Sequence, residues 1–157
     1  MQQLEDSMRD RINAALREAM LSKDKPRVSA IRLMIAAIKD RDIALRSEDG
    51  ASGLDDAGIM ALLAKMVKQR EDSAATYETA GRTELAEAER AEIAVIKSFL
   101  PKPLSDDEID AAIRQAMAET GASSIRDMGK VMGALKSQYA GRMDFGAAGG
   151  RVKAALG

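Results

Sequence analysis

Apolar side chains recur at the three- and four-residue spacing of an amphipathic helix along almost the whole chain. The first stripe shows the pattern, and it consists of Leu4, Met8, Ile12, Ala15, Leu16 and Ala19. No stretch shows the strict apolar–polar alternation of a half-buried strand. The chain is therefore predicted to be all-α.

Helix breakers and capping residues divide residues 1–100 into four predicted helices, mostly long. Asp55 and Thr83 are suitable N-caps, Gly81 is a suitable helix end, and Pro26 is tolerated as a first helical residue. The segment SEDGASG at 47–53 is predicted to be a loop. The four helices are expected near residues 4–21, 26–46, 55–80 and 83–100. The fourth is expected to bury Leu85, Ile93, Ile96 and Leu100.

A Pro-Lys-Pro segment at 101–103 stops the helical pattern and marks the predicted domain boundary. Three short helices follow it. Ser105 and Glu108 form a capping box, and Ser124 and Asp127 resemble a second one. Asp144 can cap the last helix. The predicted architecture is an N-terminal bundle over 1–100 and a three-helix domain over 101–157.

The chain contains neither histidine nor cysteine, which narrows the chemistry that it can perform. It lacks the usual general base near neutral pH, and it lacks thiolate and imidazole metal ligands. No nucleotide-binding loop is present either. We therefore predict no catalytic residue, no metal site and no cofactor. Because no apolar run approaches membrane-spanning length, a soluble cytoplasmic protein without membrane contact is expected.

Positive charge is concentrated near the C-terminus of a protein whose net charge is −1. From residue 126 onward there are six basic residues and two acidic ones, a local excess of four positive charges. Such an excess favours an anionic partner, although a solvated helix face would also explain it. The basic residues are Arg126, Lys130, Lys136, Arg142, Arg151 and Lys153.

Gly129 and Lys130 form the sharpest motif in this basic segment. A glycine lets a backbone approach closely while the lysine reaches a phosphate. Alternatively, Gly129 and Gly133, four residues apart, allow two helices to touch, and Gly141 turns the chain. Arg142 has two interpretations, a phosphate contact or an ion pair with Asp144. The candidate nucleic-acid contacts are Lys130, Lys136, Arg142, Arg126 and Lys153.

A second basic surface is conceivable on the N-terminal bundle. Arg32, Lys39 and Arg46 recur every seven residues, and two lysines follow on the next helix, at positions 65 and 68. Acidic residues are interleaved with them, which favours a solvated, salt-bridged face without a ligand. The interleaved acids are Asp40, Asp42, Glu71 and Asp72.

Three sequence stretches resemble the YqeY-like family: EIAVIKSFLPKPLSDDEI, GASSIRDMGKVMGALK, and GRMDF followed by VKAAL. SAIRLMIAAIKDRDIALR and LLAKMVKQREDSAATYETAGRTELAEAERAEIAVI resemble it as well, so that the likeness covers nearly the whole chain. The last helices are also similar to the tail domain of the B subunit of glutamyl-/aspartyl-tRNA amidotransferase, where the tail contacts tRNA. The resemblance implies a tRNA-associated protein and imports no catalytic domain.

The sequence is therefore compatible with three functions. The first is a non-catalytic tRNA-binding accessory protein of translation, linked to tRNA-dependent amidation or aminoacylation. The second is an adaptor that docks on a synthetase or an amidotransferase without touching RNA. The third is a component with glutamine-dependent carbon–nitrogen ligase activity, suggested by family association alone. The oligomeric state is left open.

Overall fold

The computed structural model describes residues 7–49 and 53–157, with the side chains of 47–49 left out of the description. These residues form α-helices joined by short turns and contain no strand, so the all-α prediction is confirmed. The helices are α1 (Met8–Leu21), α2 (Lys25–Asp49), α3 (Asp56–Thr79), α4 (Thr83–Lys97), α5 (Asp106–Thr120), α6 (Met128–Tyr139) and α7 (Phe145–Leu156). Contacts divide the chain into two compact units, residues 1–100 and 101–157.

The N-terminal unit, residues 1–100, is a bundle of α1 to α4 around one aliphatic core. Most of the side chains that the helical spacing places inward are buried or partly buried. The largest fully buried ones are Ile12, Ile31, Met34, Ile59, Leu63 and Ile96. Burial of such side chains stabilises a fold by about 1.5–3 kcal/mol each before entropy is counted.

A polar cluster fastens the start of α1 to α2 and to the segment before α3. The Arg9 guanidinium donates to both carboxylate oxygens of Asp42, at 2.7 and 2.8 Å, and to the carbonyl oxygen of Leu54 at 2.9 Å. The Leu54 N–H donates to Asp42 at 2.8 Å. The hydrogen bonds from Arg9 and Leu54 lower the pKa of Asp42 to about 2.

Several details of the predicted N-terminal helices differ from the structure. Helix α2 continues to Asp49, so the predicted loop begins later, and its residues 50–52 lie outside the described part, as does Leu4. Thr83 is the first residue of α4 and not its cap, because Arg82 precedes the helix without a side-chain cap. Leu85 is 40% exposed, since it lies on the outer side of α4 while Ala86 is buried.

Gly58 is a poor helix former in the first turn of α3, and packing explains why glycine occurs there. A Cβ at this position would lie 2.8 Å from Cδ2 of Leu54 and 3.1 Å from the capping carboxylate of Asp55. The Leu54 side chain therefore covers the first turn of α3. Glycine is the residue that leaves room for this contact.

The C-terminal unit, residues 101–157, packs α5, α6 and α7 around a smaller core. Val131, Leu135 and Val152 are completely buried at its centre. Ser105 and Glu108 form the predicted capping box of α5, with bonds of 3.0 and 3.2 Å. Gly121 ends α5 in the left-handed region at φ +67°, a conformation that glycine adopts without strain.

Carboxylates also accept backbone N–H bonds at the start of α7 and in the turn that leads into α6. Asp127 accepts hydrogen bonds from the backbone N–H groups of Ser123 and Ser124, and a short 3₁₀ turn, Ile125–Asp127, leads into α6. Asp144 accepts from Gly146 and Ala147 at the start of α7, as predicted. These local bonds fix where each short helix begins.

Candidate nucleic-acid interface

Helix α6 presents a smooth, basic outer face. Val131 and Leu135 on its inner side are completely buried. At roughly 100° per residue, Gly133 lies on the side directly opposite to them. The positions that surround Gly133 on this outer side are all exposed, and they are Gly129, Lys130, Lys136 and Ser137. We call these five residues the glycine–lysine face.

The two glycines of this face contact no other helix of the C-terminal unit, whose residues are all described. A Cβ at Gly129 or Gly133 would meet no atom within 4 Å. The alternative that these glycines allow two helices of this unit to touch is therefore corrected, because α6 buries its opposite side. Each glycine in a helix interior costs about 1 kcal/mol relative to alanine. Close approach of another molecule's backbone stays a prediction. Gly141 does turn the chain, at φ +78°.

Lys130 and Lys136 are both exposed, on either side of the glycines, and neither forms a salt bridge within the C-terminal unit. Lys130 lies near the start of α6. Hydrogen bonds from the N–H groups of Ser123 and Ser124 lower the pKa of Asp127, and the charge of Lys130 lowers it further. The Asp127 carboxylate is occupied by the cap, so the lysine ammonium groups project from the face without a bonded partner in this unit.

Arg142 has a structural contact that neither sequence interpretation included. Its Nε donates to the carbonyl oxygen of Lys102 at 3.1 Å, and its own carbonyl oxygen accepts from the Leu104 N–H at 2.9 Å. These two bonds hold the Pro-Lys-Pro segment against the turn between α6 and α7. Phosphate contact by Arg142 stays a prediction, but its loss would also disturb this turn.

Arg151 contributes less free positive charge than the sequence count suggests. Its guanidinium lies 2.7 Å from a carboxylate oxygen of Asp106 and 3.0 Å from one of Asp110. These hydrogen bonds raise its pKa. No local sequence pattern indicates this pair, because 45 residues separate Arg151 from Asp106. Arg126 and Lys153 are exposed and form no salt bridge within the described C-terminal unit.

On the N-terminal unit, two of the four acids that interleave the basic residues form ion pairs with residues outside the seven-residue repeat. Asp42 pairs with Arg9, and Glu71 pairs with Lys97 at 3.6 Å. Arg32 and Lys39 are exposed on α2. Asp42 and Glu71 therefore form ion pairs between helices, and the charge of Arg46, a member of the repeat, also lowers the pKa of Asp42.

Other kinds of site find no support in the part of the chain that the structure describes. Residues 7–49 and 53–157 contain no group of three or more acidic side chains arranged to hold a metal ion. Within the same residues, no helix combines the length and the apolar character needed to cross a bilayer.

Curated relatives are proteins named Altered inheritance of mitochondria protein 41, mitochondrial, from three yeasts. The protein from Lachancea thermotolerans is 33% identical over 69% of this chain and 57% of its own length. The proteins from Saccharomyces cerevisiae and Kluyveromyces lactis are 30% and 33% identical, over 65% and 66% of this chain and 54% and 55% of their own lengths. The chain thus spans slightly more than half the length of these relatives.

These names correct one expectation. The chain was expected to be cytoplasmic, because its composition offers no membrane segment. That expectation is wrong in the light of its relatives, which are named as mitochondrial proteins. The lack of a long apolar run in the sequence therefore did not indicate the compartment.

A family model described as Yqey-like protein matches residues 9–156, which is nearly the whole of both structural units. This match agrees with the resemblance carried by the segments around the Pro-Lys-Pro boundary and α6. The chain belongs to the Yqey-like protein family.

Proposed function

We propose that this chain is a non-catalytic accessory protein that binds tRNA through the glycine–lysine face of α6. The observation that carries the proposal is the pairing of two open glycines with two lysines that form no salt bridge in their unit. A glycine pair on an exposed helix face destabilises the helix and gains no contact inside the chain. A role outside the chain explains why such a face is useful.

The face suits a phosphate backbone in shape and in charge. Without side chains at 129 and 133, a sugar–phosphate strand can approach the α6 backbone closely, and the flanking lysines can each reach a phosphate. The face carries no aromatic side chain on which an unpaired base could stack. Recognition would therefore depend on the shape and charge of folded RNA.

The choice of tRNA rests on the likeness of the last helices to the tail of the amidotransferase B subunit. The residues that carry that likeness are Gly129, Lys130, Val131, Met132, Gly141, Arg142, Asp144, Val152 and Lys153. It links the chain to tRNA-dependent amidation or aminoacylation, with a synthetase or amidotransferase as a further partner. A titration with total tRNA at two salt concentrations, using the full chain, tests the RNA step.

A glycine substitution separates a surface role from a structural one. Replacing a glycine that is needed for packing lowers the free energy of unfolding, whereas replacing one on an open helix face raises it. Gly133→Gln adds a helix-forming side chain in open space, so the free energy of unfolding is expected to rise by up to about 1 kcal/mol. The same side chain blocks backbone approach, so the Kd for tRNA is expected to rise by about tenfold or more. Unchanged binding of tRNA by the stabilised variant would exclude Gly133 of the glycine–lysine face as the contact.

Gly150→Gln on α7 is the matched control, since a Cβ at Gly150 also meets no atom within 4 Å. It gains the same helix propensity away from α6 and is expected to bind tRNA like the original chain.

Lys130→Ala is expected to weaken binding to all tRNA species similarly and to reduce the slope of log K against log salt by about one. An identical slope would exclude Lys130.

The adaptor function is the second candidate. It predicts no RNA binding even at low salt and a protein partner instead. An apolar groove between α1 and α2 on the N-terminal unit supports a protein contact.

A further inference from the structure

A groove of about 620 Å³ lies where the end of α1 meets the first two turns of α2. Its walls are mainly apolar. Met20 is 51% exposed and Leu33 is 44% exposed, so two large apolar side chains of the groove face solvent. The lining residues are Met20, Lys23, Lys25, Val28, Ser29, Arg32 and Leu33.

The groove follows the face of a helix. The five α2 residues in its lining lie at positions 25, 28, 29, 32 and 33, which is the three- and four-residue spacing of one continuous side. This side is distinct from the core side of α2, where Ile31, Met34 and Ile38 are buried. Helix α2 therefore has two apolar sides at its N-terminal end, of which one is covered by the bundle.

Three cations surround the apolar walls. Lys23, Lys25 and Arg32 are exposed, and none of them forms a salt bridge with a side chain that the structure describes. Asp24, the acid beside them, is occupied, because its carboxylate accepts from the Arg27 N–H at the start of α2. The rim is therefore positively charged around an apolar centre.

Lys23 holds a backbone conformation that favours glycine. Its φ is +60°, and it is the one residue other than glycine with positive φ among residues 7–49 and 53–157. This conformation closes the end of α1, where the Lys23 N–H donates to the Met20 carbonyl at 3.2 Å and the Asp24 N–H to the Ala19 carbonyl at 3.0 Å, and glycine would adopt it with less strain. The Lys23 side chain lines the groove, so the position supplies positive charge where a glycine would relax the turn.

We propose that this groove docks an acidic amphipathic helix of a partner protein. The partner's leucine-like side chains would lie between Met20, Val28 and Leu33, and its carboxylates would face Lys23, Lys25 and Arg32. Helices bind grooves of this kind through apolar anchors at i, i+3, i+4 and i+7. Charge complementarity decides for an acidic helix, because a basic or neutral one would leave three cations at the rim unpaired. The groove lies on the N-terminal unit and shares no residue with the glycine–lysine face of α6.

The probe is a synthetic helical peptide with leucines at i, i+4 and i+7 and glutamates between them. Binding to the full chain is followed by the NMR signals of the Met20 and Leu33 methyl groups and by fluorescence anisotropy of the peptide. The methyl signals are expected to shift with the acidic peptide and to stay unchanged with a peptide whose glutamates are replaced by lysine. Absence of shifts with the acidic peptide overturns the proposal.

Two variants assign the contact. Lys23→Gly removes a rim charge and relaxes the turn, so it is expected to melt at the same temperature or higher, yet to raise the peptide Kd by about two- to fivefold at low salt. Leu33→Ser is expected to raise the Kd by about tenfold. Ile43→Ser is its control, since Ile43 is comparably exposed on α2 but lies outside the groove. Equal loss in the Ile43 and Leu33 variants contradicts the site.

Other occupants give different results. If the full chain forms dimers in sedimentation experiments and Leu33→Ser abolishes them, the groove holds a second copy and the proposal is wrong. If anionic lipid vesicles shift the Met20 and Leu33 signals and the acidic peptide does not, the groove is a membrane contact and the proposal is also wrong. Binding of tRNA by Leu33→Ser is expected to be unchanged, which separates this proposal from the one for α6.

Discussion

The two units use their charged residues differently. In the N-terminal unit, ion pairs cross between neighbouring helices, as Arg9 with Asp42 and Arg70 with Glu92 show. In the C-terminal unit, Glu108 and Asp144 cap helix starts, Arg151 alone pairs with carboxylates of a neighbouring helix, and the lysines of α6 form no salt bridge within that unit. Long helices supply many side-by-side positions at which opposite charges meet. Short helices depend more on their ends, where N–H groups lack partners inside the helix. Cations remain available to another molecule in both units, on α6 at Lys130 and Lys136 and on the N-terminal unit at the groove that Lys23 lines.

Removing a core side chain from each unit is expected to produce the largest effect and tests whether the units are comparably packed. Leu63 and Leu135 are both completely buried. Leu63→Ala and Leu135→Ala are each expected to lower the free energy of unfolding by about 2–5 kcal/mol, through lost burial and the cavity left behind. Urea denaturation measures this. A loss below about 1 kcal/mol in either unit would show that its core collapses around the gap.

Asp42→Asn tests the interhelical ion pair of the N-terminal unit. The Asp42 side chain is 15% exposed and Arg9 is 40% exposed, so screening reduces the effect to about 1–2 kcal/mol. The native pKa of about 2 lies below the unfolded value near 4. The stabilisation is therefore present above pH 4 and is lost as the pH falls from about 4 towards 2. The variant is expected to lack this part of the acid dependence; an unchanged pH profile would contradict it.

Ser105→Ala tests the reliance of the C-terminal unit on helix ends. The Ser105 hydroxyl accepts from the Glu108 N–H, so its removal is expected to lower the free energy of unfolding by about 1 kcal/mol. Thr83→Ala in the N-terminal unit is the matched control, because α4 starts without a side-chain cap. It is expected to change stability by less than about 0.5 kcal/mol. Equal losses in thermal melts would remove the distinction between the units.

A double-mutant cycle on Arg90 and Glu78 is expected to give the smallest effect. Both side chains are about half exposed, at 48% and 52%, although their charged atoms lie 2.6 Å apart. The coupling is expected to be about 0–0.5 kcal/mol and to decrease with added salt. A coupling above about 1 kcal/mol would mean that this ion pair stabilises the contact of α3 with α4 more than an exposed pair is expected to do.

Local sequence signals predicted much of the fold because each acts within one helical turn. The three- and four-residue apolar spacing predicted the all-α class, which is confirmed, and Ser105 with Glu108 predicted where α5 begins. Leu85 and Thr83 were placed wrongly. A stripe read along one helix does not reveal that neighbouring helices cover Ala86 in place of Leu85, and a capping residue by itself does not reveal the backbone angles before the helix.

The sequence by itself determined the helices, the glycines at 129 and 133, and the basic character of the residues after 126. Tertiary structure alone decided which of those residues face outward. It placed Arg151 against Asp106 and Arg142 against the Lys102 carbonyl, and it left the glycine–lysine face open. It also brought Lys23 and Leu33 to one groove. The reason is physical: helix formation depends on neighbours a few residues away, whereas burial and charge pairing depend on side chains that only folding brings within about 4 Å.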